Sequence, residues 1–296
     1  MVLQKLSQTF DFLKPTLYNV EKKVAARSIP NVASIPDRKK LADYKPVAED
    51  EFDHGLWDAI LKQHVVETDG TLGEIKGVHL IDYDALAKDT NFKAYLSKLE
   101  NTNVAALPEP EQLAFWINAY NALCVSLLLN NWEKVQNSEG KYSINNLSEM
   151  GSAVWDNEAG IVGGKTVSLN DIEHKELRGI WDEPAVHGCI VCASASCPNL
   201  RKEAFAGSRV REQMDDQIRS WMTNESKGLE LVGKKLYLSR IFLWFGDDFG
   251  GWDGLREWLP KYLEDGEAKT RIEKNTAVVR FFDYSWEMNR FGGSNS

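Results

Sequence analysis

From Phe52 onward the apolar positions settle into a helical rhythm. Leu56, Trp57, Ile60 and Leu61 fall on one face together with His64, the spacing that predicts an amphipathic helix. Gly77 to Tyr83 reads as a short strand, and Tyr83 to Leu99 as a helix or a pair of helices. Pro108 and Pro110 introduce a helix from about Glu109 to Trp132. Ile161 to Val167 predicts a hairpin with Gly163 and Gly164 at its turn, and Ser168 or Asn170 is placed to cap the next helix. Val186 to Cys192 predicts a strand, and Phe205 to Met222 an amphipathic helix. Leu229 to Leu238 predicts a second hairpin, Gly254 to Leu263 a helix, and Val278 to Tyr284 a closing strand.

Interleaved helices and strands with recurrent hairpins predict an α/β or α+β fold with a mixed sheet and surrounding helices. One such domain is expected over 51–291. Before it, 1–50 reads as an N-terminal extension, a short helix near 7–26 and then an extended arm broken by Pro30, Pro36 and Pro46. Residues 292–296 read as a disordered tail.

The helix after Glu109 is unusual because apolar residues cover nearly its whole circumference, so it is predicted to be buried. On that background Glu111, Asn118 and Asn121 share one face. A buried carboxamide left without partners costs about 1–3 kcal/mol. The three therefore either line a site and orient a catalytic imidazole, or tie the helix to irregular backbone.

Composition narrows the function classes. The 296 residues carry 35 Lys and Arg against 44 Asp and Glu, a net charge of -9. That sign disfavours phosphate backbones and anionic membranes, so neither nucleic acid nor membrane is expected as a partner. The most apolar run, Ala114 to Leu129, is interrupted by Asn118, Asn121 and Ser126. Cysteines are too few for a disulfide-built secreted scaffold, and the N-terminus lacks a secretory h-region. A cytoplasmic location is the expectation. The eight Lys or Arg and three acids among the first 40 residues leave an organelle presequence open.

The densest chemistry is His187-Gly-Cys-Ile-Val-Cys-Ala-Ser-Ala-Ser-Cys-Pro. In a regular strand His187 and Cys192 would lie about 16 Å apart, so His174 is expected to be the base for a Cys192 thiolate. Cys192 would end the strand and face a loop of small residues whose N–H groups could hold an oxyanion. Cys197-Pro198 could open a helical turn that activates its thiol. Cys197, His187, Ser194 and Ser196 form an additional set around this loop. Cys124 and Cys189 read as small buried hydrophobes. A zinc site and a reversible Cys192–Cys197 disulfide are lesser alternatives. No cofactor or metal is expected, because glycine-rich nucleotide motifs and a second tight ligand pair are both missing from the sequence.

Four segments in order resemble the domain-of-unknown-function family numbered 547. They are Glu111-Gln-Leu-Ala-Phe-Trp-Ile-Asn-Ala-Tyr-Asn-Ala-Leu, the stretch from Gly163 to Arg178, the cysteine segment Val186 to Arg201, and Phe281-Phe-Asp-Tyr-Ser-Trp-Glu-Met-Asn. The last has Met288 where the family usually has Leu. The resemblance spans about 52–290 and implies attention to Glu111, Asn118, Asn121, His174, His187, Cys192 and Cys197; it implies no reaction.

Two functions are expected. The first is a thiol-dependent hydrolase or acyltransferase acting on an amide or ester in a small-molecule or peptide substrate. Cys192 would be its nucleophile, His174 its base, and Asn118, Asn121 or Glu111 its orienting group. The second is a non-catalytic protein-interaction module that presents aromatics near Trp244, Trp252 and Trp258 to a protein partner.

Overall fold

The computed structural model describes residues 30–48, 51–149 and 152–292. The predicted helix near 7–26 lies outside them. The chain divides into two compact units, one of residues 37–217 with 285 onward, the other centred on 218–284. The boundary falls inside the helix Val210–Thr223.

In the larger unit, the helices Gly55–His64 and Thr90–Glu100 pack through Trp57, which stacks on Tyr95 at 5.6 Å between ring centroids. The central helix Glu109–Asn130 follows, with Pro110 in its first turn and nearly every residue from Pro110 to Leu128 buried. By length and composition it could cross a membrane, but its apolar circumference is covered by its own unit. A hairpin, Glu158–Val162 with Lys165–Ser168, turns at Gly163 and Gly164, both at positive φ (56° and 74°). Two left-handed residues in a two-residue turn match the twist of the flanking strands. Ser168 and Asp171 then form a reciprocal capping box, which satisfies exposed helix N–H groups.

Two elements depart from the sequence expectation. The helix opened by Ser168 widens into a π-helical turn, Ile172–Leu177. Such turns are rare and recur at functional sites. The predicted strand Val186 to Cys192 is instead a helical turn, Val186–Cys189, followed by irregular chain. A short apolar run cannot be told from a buried helix by periodicity, and here side chains of neighbouring helices, not a strand, bind the backbone.

The smaller unit contains the second predicted hairpin, Leu229–Val232 with Lys235–Leu238. Val278–Phe281 pairs parallel to its second strand, making a mixed three-stranded sheet. Phe242 joins Trp221, Phe249 and Trp258 in an aromatic core, and Trp258 also packs on Tyr262. The helix Glu267–Glu273 was not visible in the pattern. Helices and strands are mixed and hairpins recur, as the sequence predicts. The described strands are short and divide among four small sheets, because helices and irregular chain separate the pairs.

Within the larger unit, the part of the arm from Asp37 onward is tied to the segment around Trp181. Arg38 donates to the carbonyls of Arg178 and Trp181 and pairs with Asp182 at 2.7 Å. Lys39 exchanges backbone bonds with Ile180 and Asp182.

Candidate active site

All the predicted site residues lie in the larger unit. The three polar residues of the central helix bind backbone. Glu111 is fully buried and accepts from the N–H groups of Glu51 (2.9 Å) and Phe52. Asn118 exchanges two bonds with Phe205, donating to its carbonyl at 2.7 Å and accepting from its N–H at 3.0 Å. Asn121 donates to the Cys189 carbonyl and accepts from the Val191 N–H, both at 2.9 Å. The tie to irregular backbone is therefore what these bonds make.

A second pair, missed in the sequence, does the same from the helix Val210–Thr223. Gln213 bonds the backbone of Ala204 and Ala206, and Gln217 that of Gly188 and Asn199. Its signal was available: two glutamines four residues apart on the apolar face of an amphipathic helix. Four carboxamides thus satisfy the irregular stretch 188–206, whose buried peptide groups have no sheet or helix of their own.

Cys192 lies within this stretch. Its Sγ is 2.9 Å from Ser194 Oγ, and its N–H donates to Cys197 Sγ at 3.1 Å. Ala193 between them has φ of 60°, a left-handed conformation in a residue with a Cβ, of the kind found at functional sites. The C-terminal segment lies antiparallel to the loop. Asn289 donates to the Ala193 carbonyl, Ser194 bridges Met288, Ala195 donates to Glu287, and Ser285 exchanges bonds with Ser196. One expectation is corrected here: Cys197-Pro198 opens no helix. The N–H groups of Val191, Cys192, Ala195, Ser196 and Cys197 all donate within the protein, so these five are not open to an oxyanion.

The titratable groups converge on Tyr120, a residue the sequence reading passed over between the two asparagines. Burial pushes its hydroxyl well above the usual phenol range, and nearby Glu173, Cys124, Cys192 and Cys197 push the same way. Glu173 and His174 are both on the π-helical turn. Glu173 Oε1 lies 4.0 Å from Nδ1 of buried His187. His174 Nδ1 is 2.8 Å from Arg178 Nη1. Arginine has no acceptor, so His174 accepts and its neutral ring carries the proton on Nε2. Burial raises the thiols of Cys124 and Cys189 above their ordinary range, which suits inert packing residues. Among the described residues no group of three His, Cys, Asp or Glu side chains could hold a metal.

Replacing Asn121 by alanine leaves the Cys189 carbonyl and Val191 N–H unpaired. The expected loss is about 2–6 kcal/mol, at about 1–3 kcal/mol per orphaned group, read from urea unfolding. A loss below about 0.5 kcal/mol would mean that water replaces the carboxamide.

No curated protein and no solved structure matches the chain. Residues 104–222, which hold the central helix, the π-helical turn and the cysteine loop, match the model of a family described as protein of unknown function, DUF547. Over that segment the chain is similar to the DUF547 family, in line with the resemblance carried by its sequence motifs.

Proposed function

We propose that the protein is a thiol-dependent hydrolase or acyltransferase acting on an amide or ester, with Cys192 as nucleophile. The observation that carries this reading is the grouping around one buried phenol: Tyr120 has Cys192, Cys197 and Glu173 as electrostatic neighbours, and His187 stands 4.0 Å from Glu173. A histidine beside a carboxylate is the base-and-orienter half of a nucleophilic site. His174 suits that role less well, because Arg178 occupies the lone pair of its neutral ring. We therefore assign the base to His187, the orienting carboxylate to Glu173, and proton donation toward a developing oxyanion to Tyr120.

In such a reaction the Cys192 sulfur attacks the carbonyl carbon as His187 takes the thiol proton. The leaving amine or alcohol then departs with that proton. Water completes hydrolysis of the thioester, or a second acceptor completes transfer.

The test uses an amide and ester panel together with thiol alkylation. Cys192→Ala is expected to lower turnover about a thousandfold or more. His187→Gln is expected to slow iodoacetamide labelling of Cys192 at pH 7 about tenfold or more. Unchanged turnover in Cys192→Ala rejects the nucleophile, and unchanged labelling in His187→Gln rejects the base. The rival reading, a non-catalytic interaction module with structural cysteines, draws support from the burial of Cys192, which is 9% exposed. Slow labelling at all four cysteines of the native protein would favour it.

A further inference from the structure

Cys192 and Cys197 close a tight turn on each other. The Cys192 N–H meets Cys197 Sγ at 3.1 Å, and the Cys197 N–H meets the Ser194 carbonyl at 3.1 Å. With an N–Cα bond of about 1.46 Å, Cys197 Sγ lies no more than about 4.6 Å from the Cys192 Cα. That brings Cys197 Sγ to the foot of the Cys192 side chain, the approach that a disulfide between the two requires. The Cys192 side chain is turned to Ser194 Oγ, 2.9 Å away, and rotation about its Cα–Cβ bond is the motion the pairing would need. Cys189 Sγ contacts the Ala185 carbonyl within its own helical turn, and Cys124, buried in the central helix, is an electrostatic neighbour of Cys192 that the experiment must distinguish from Cys197.

We propose that Cys192 and Cys197 are a reversible thiol–disulfide pair, oxidised by hydroperoxides, and that the disulfide closes the site. The Cys192 thiolate attacks one peroxide oxygen; the O–O bond breaks, the sulfur becomes a sulfenic acid, and the other oxygen leaves as water or an alcohol. The Cys197 sulfur then attacks Cys192 Sγ, forming the S–S bond and expelling water. Two thiols lose two electrons and two protons, and the peroxide takes them. A dithiol reductant reverses the change through a mixed disulfide. Ser194 supplies the hydroxyl beside the first sulfur, and the left-handed Ala193 sets the turn that presents the second. That the disulfide would silence activity rests on Cys192 being the nucleophile proposed above; the bond itself does not.

The experiment treats the reduced full-length chain with one to a few equivalents of hydrogen peroxide. Iodoacetamide is then added under denaturing conditions, and the peptide from Gly179 to Arg201, which holds Cys189, Cys192 and Cys197, is mapped by mass. The expected product carries one alkyl group, on Cys189, is two hydrogens lighter at the other two, and regains three alkyl groups after dithiothreitol. In Cys197→Ser the resolving sulfur is gone, so Cys192 is expected to advance to the sulfinic acid, two oxygens heavier and not recovered by dithiothreitol. The wild-type map alone decides the matter if that variant fails to fold. Full alkylation of Cys192 and Cys197 after peroxide, separate oxidation of each, or a bond from either to Cys189 or Cys124 overturns the proposal. None of these readings needs a substrate, so a chain inactive on every amide and ester could still form the bond.

Discussion

Glu111→Ala is expected to destabilise the fold by about 3–6 kcal/mol, the combined worth of two hydrogen bonds to a charged acceptor at about 1.5–3 kcal/mol each. The carboxylate is fully buried and holds the N–H groups of Glu51 and Phe52. Removing it orphans both and frees the segment that leads into the helix Gly55–His64. Glu111→Gln is the informative partner. It keeps one acceptor but turns an amide N–H toward the other donor, so it should lose roughly half as much. Urea unfolding of both variants at pH 7 checks the order. If Ala and Gln cost the same small amount, below about 0.5 kcal/mol, the two backbone bonds are not supporting the entry to the first helix.

Acidification should weaken the protein well before its carboxylates are neutralised, through His54. Burial, and then the charge of nearby Lys98, hold its imidazole down to about 3; Asp53 opposes this more weakly. Its Nδ1 bonds the Tyr95 hydroxyl at 2.8 Å, its Nε2 is buried without a partner, and Phe52 and Phe115 enclose the ring. The unfolded chain takes up a proton near pH 6.5, while the folded one resists until about 3. Stability from this residue is therefore complete above pH 6.5 and is lost as pH falls through that window. The full difference is on the order of 4–5 kcal/mol, of which about 2 kcal/mol goes between pH 6.5 and 5. His54→Gln keeps an acceptor for Tyr95 and cannot charge, so its stability should change far less over the same range. A wild-type urea midpoint as high at pH 5 as at pH 7.5 would contradict the assignment. Asp171 and Asp53, held below the usual carboxylate range mainly by hydrogen bonds from Lys175 and Gly55, act at lower pH.

How far the sequence could be read depended on whether the signal was local. The hairpin at Gly163 and Gly164, the Ser168 cap and the buried central helix all follow from short-range spacing, and they are found in the structure. The cysteine segment misled because the features that bend it lie elsewhere in the chain. Asn121 is 68 residues from Cys189, and Asn118 is 87 from Phe205. Polar residues on an apolar helix were visible, but their partners were not. The same limit hid Tyr120 and Glu173, since only the fold brings the π-helical turn toward the phenol. His187 was set aside on the premise of a straight strand, and the helical turn Val186–Cys189 removes that premise.

The four carboxamide ties also bear on the order of assembly. Each joins helix side chains to the stretch 188–206, and those from the central helix cross 68 and 87 residues of chain. Contacts so distant in sequence pay loop-closure entropy before they return any stabilisation, so they form late in folding. Weakening such late contacts speeds unfolding more than it slows folding. A newly made chain is therefore expected to order its helices before Cys192 and Cys197 are held in their turn. The thiols acquire their shared geometry only as the last part of this unit locks.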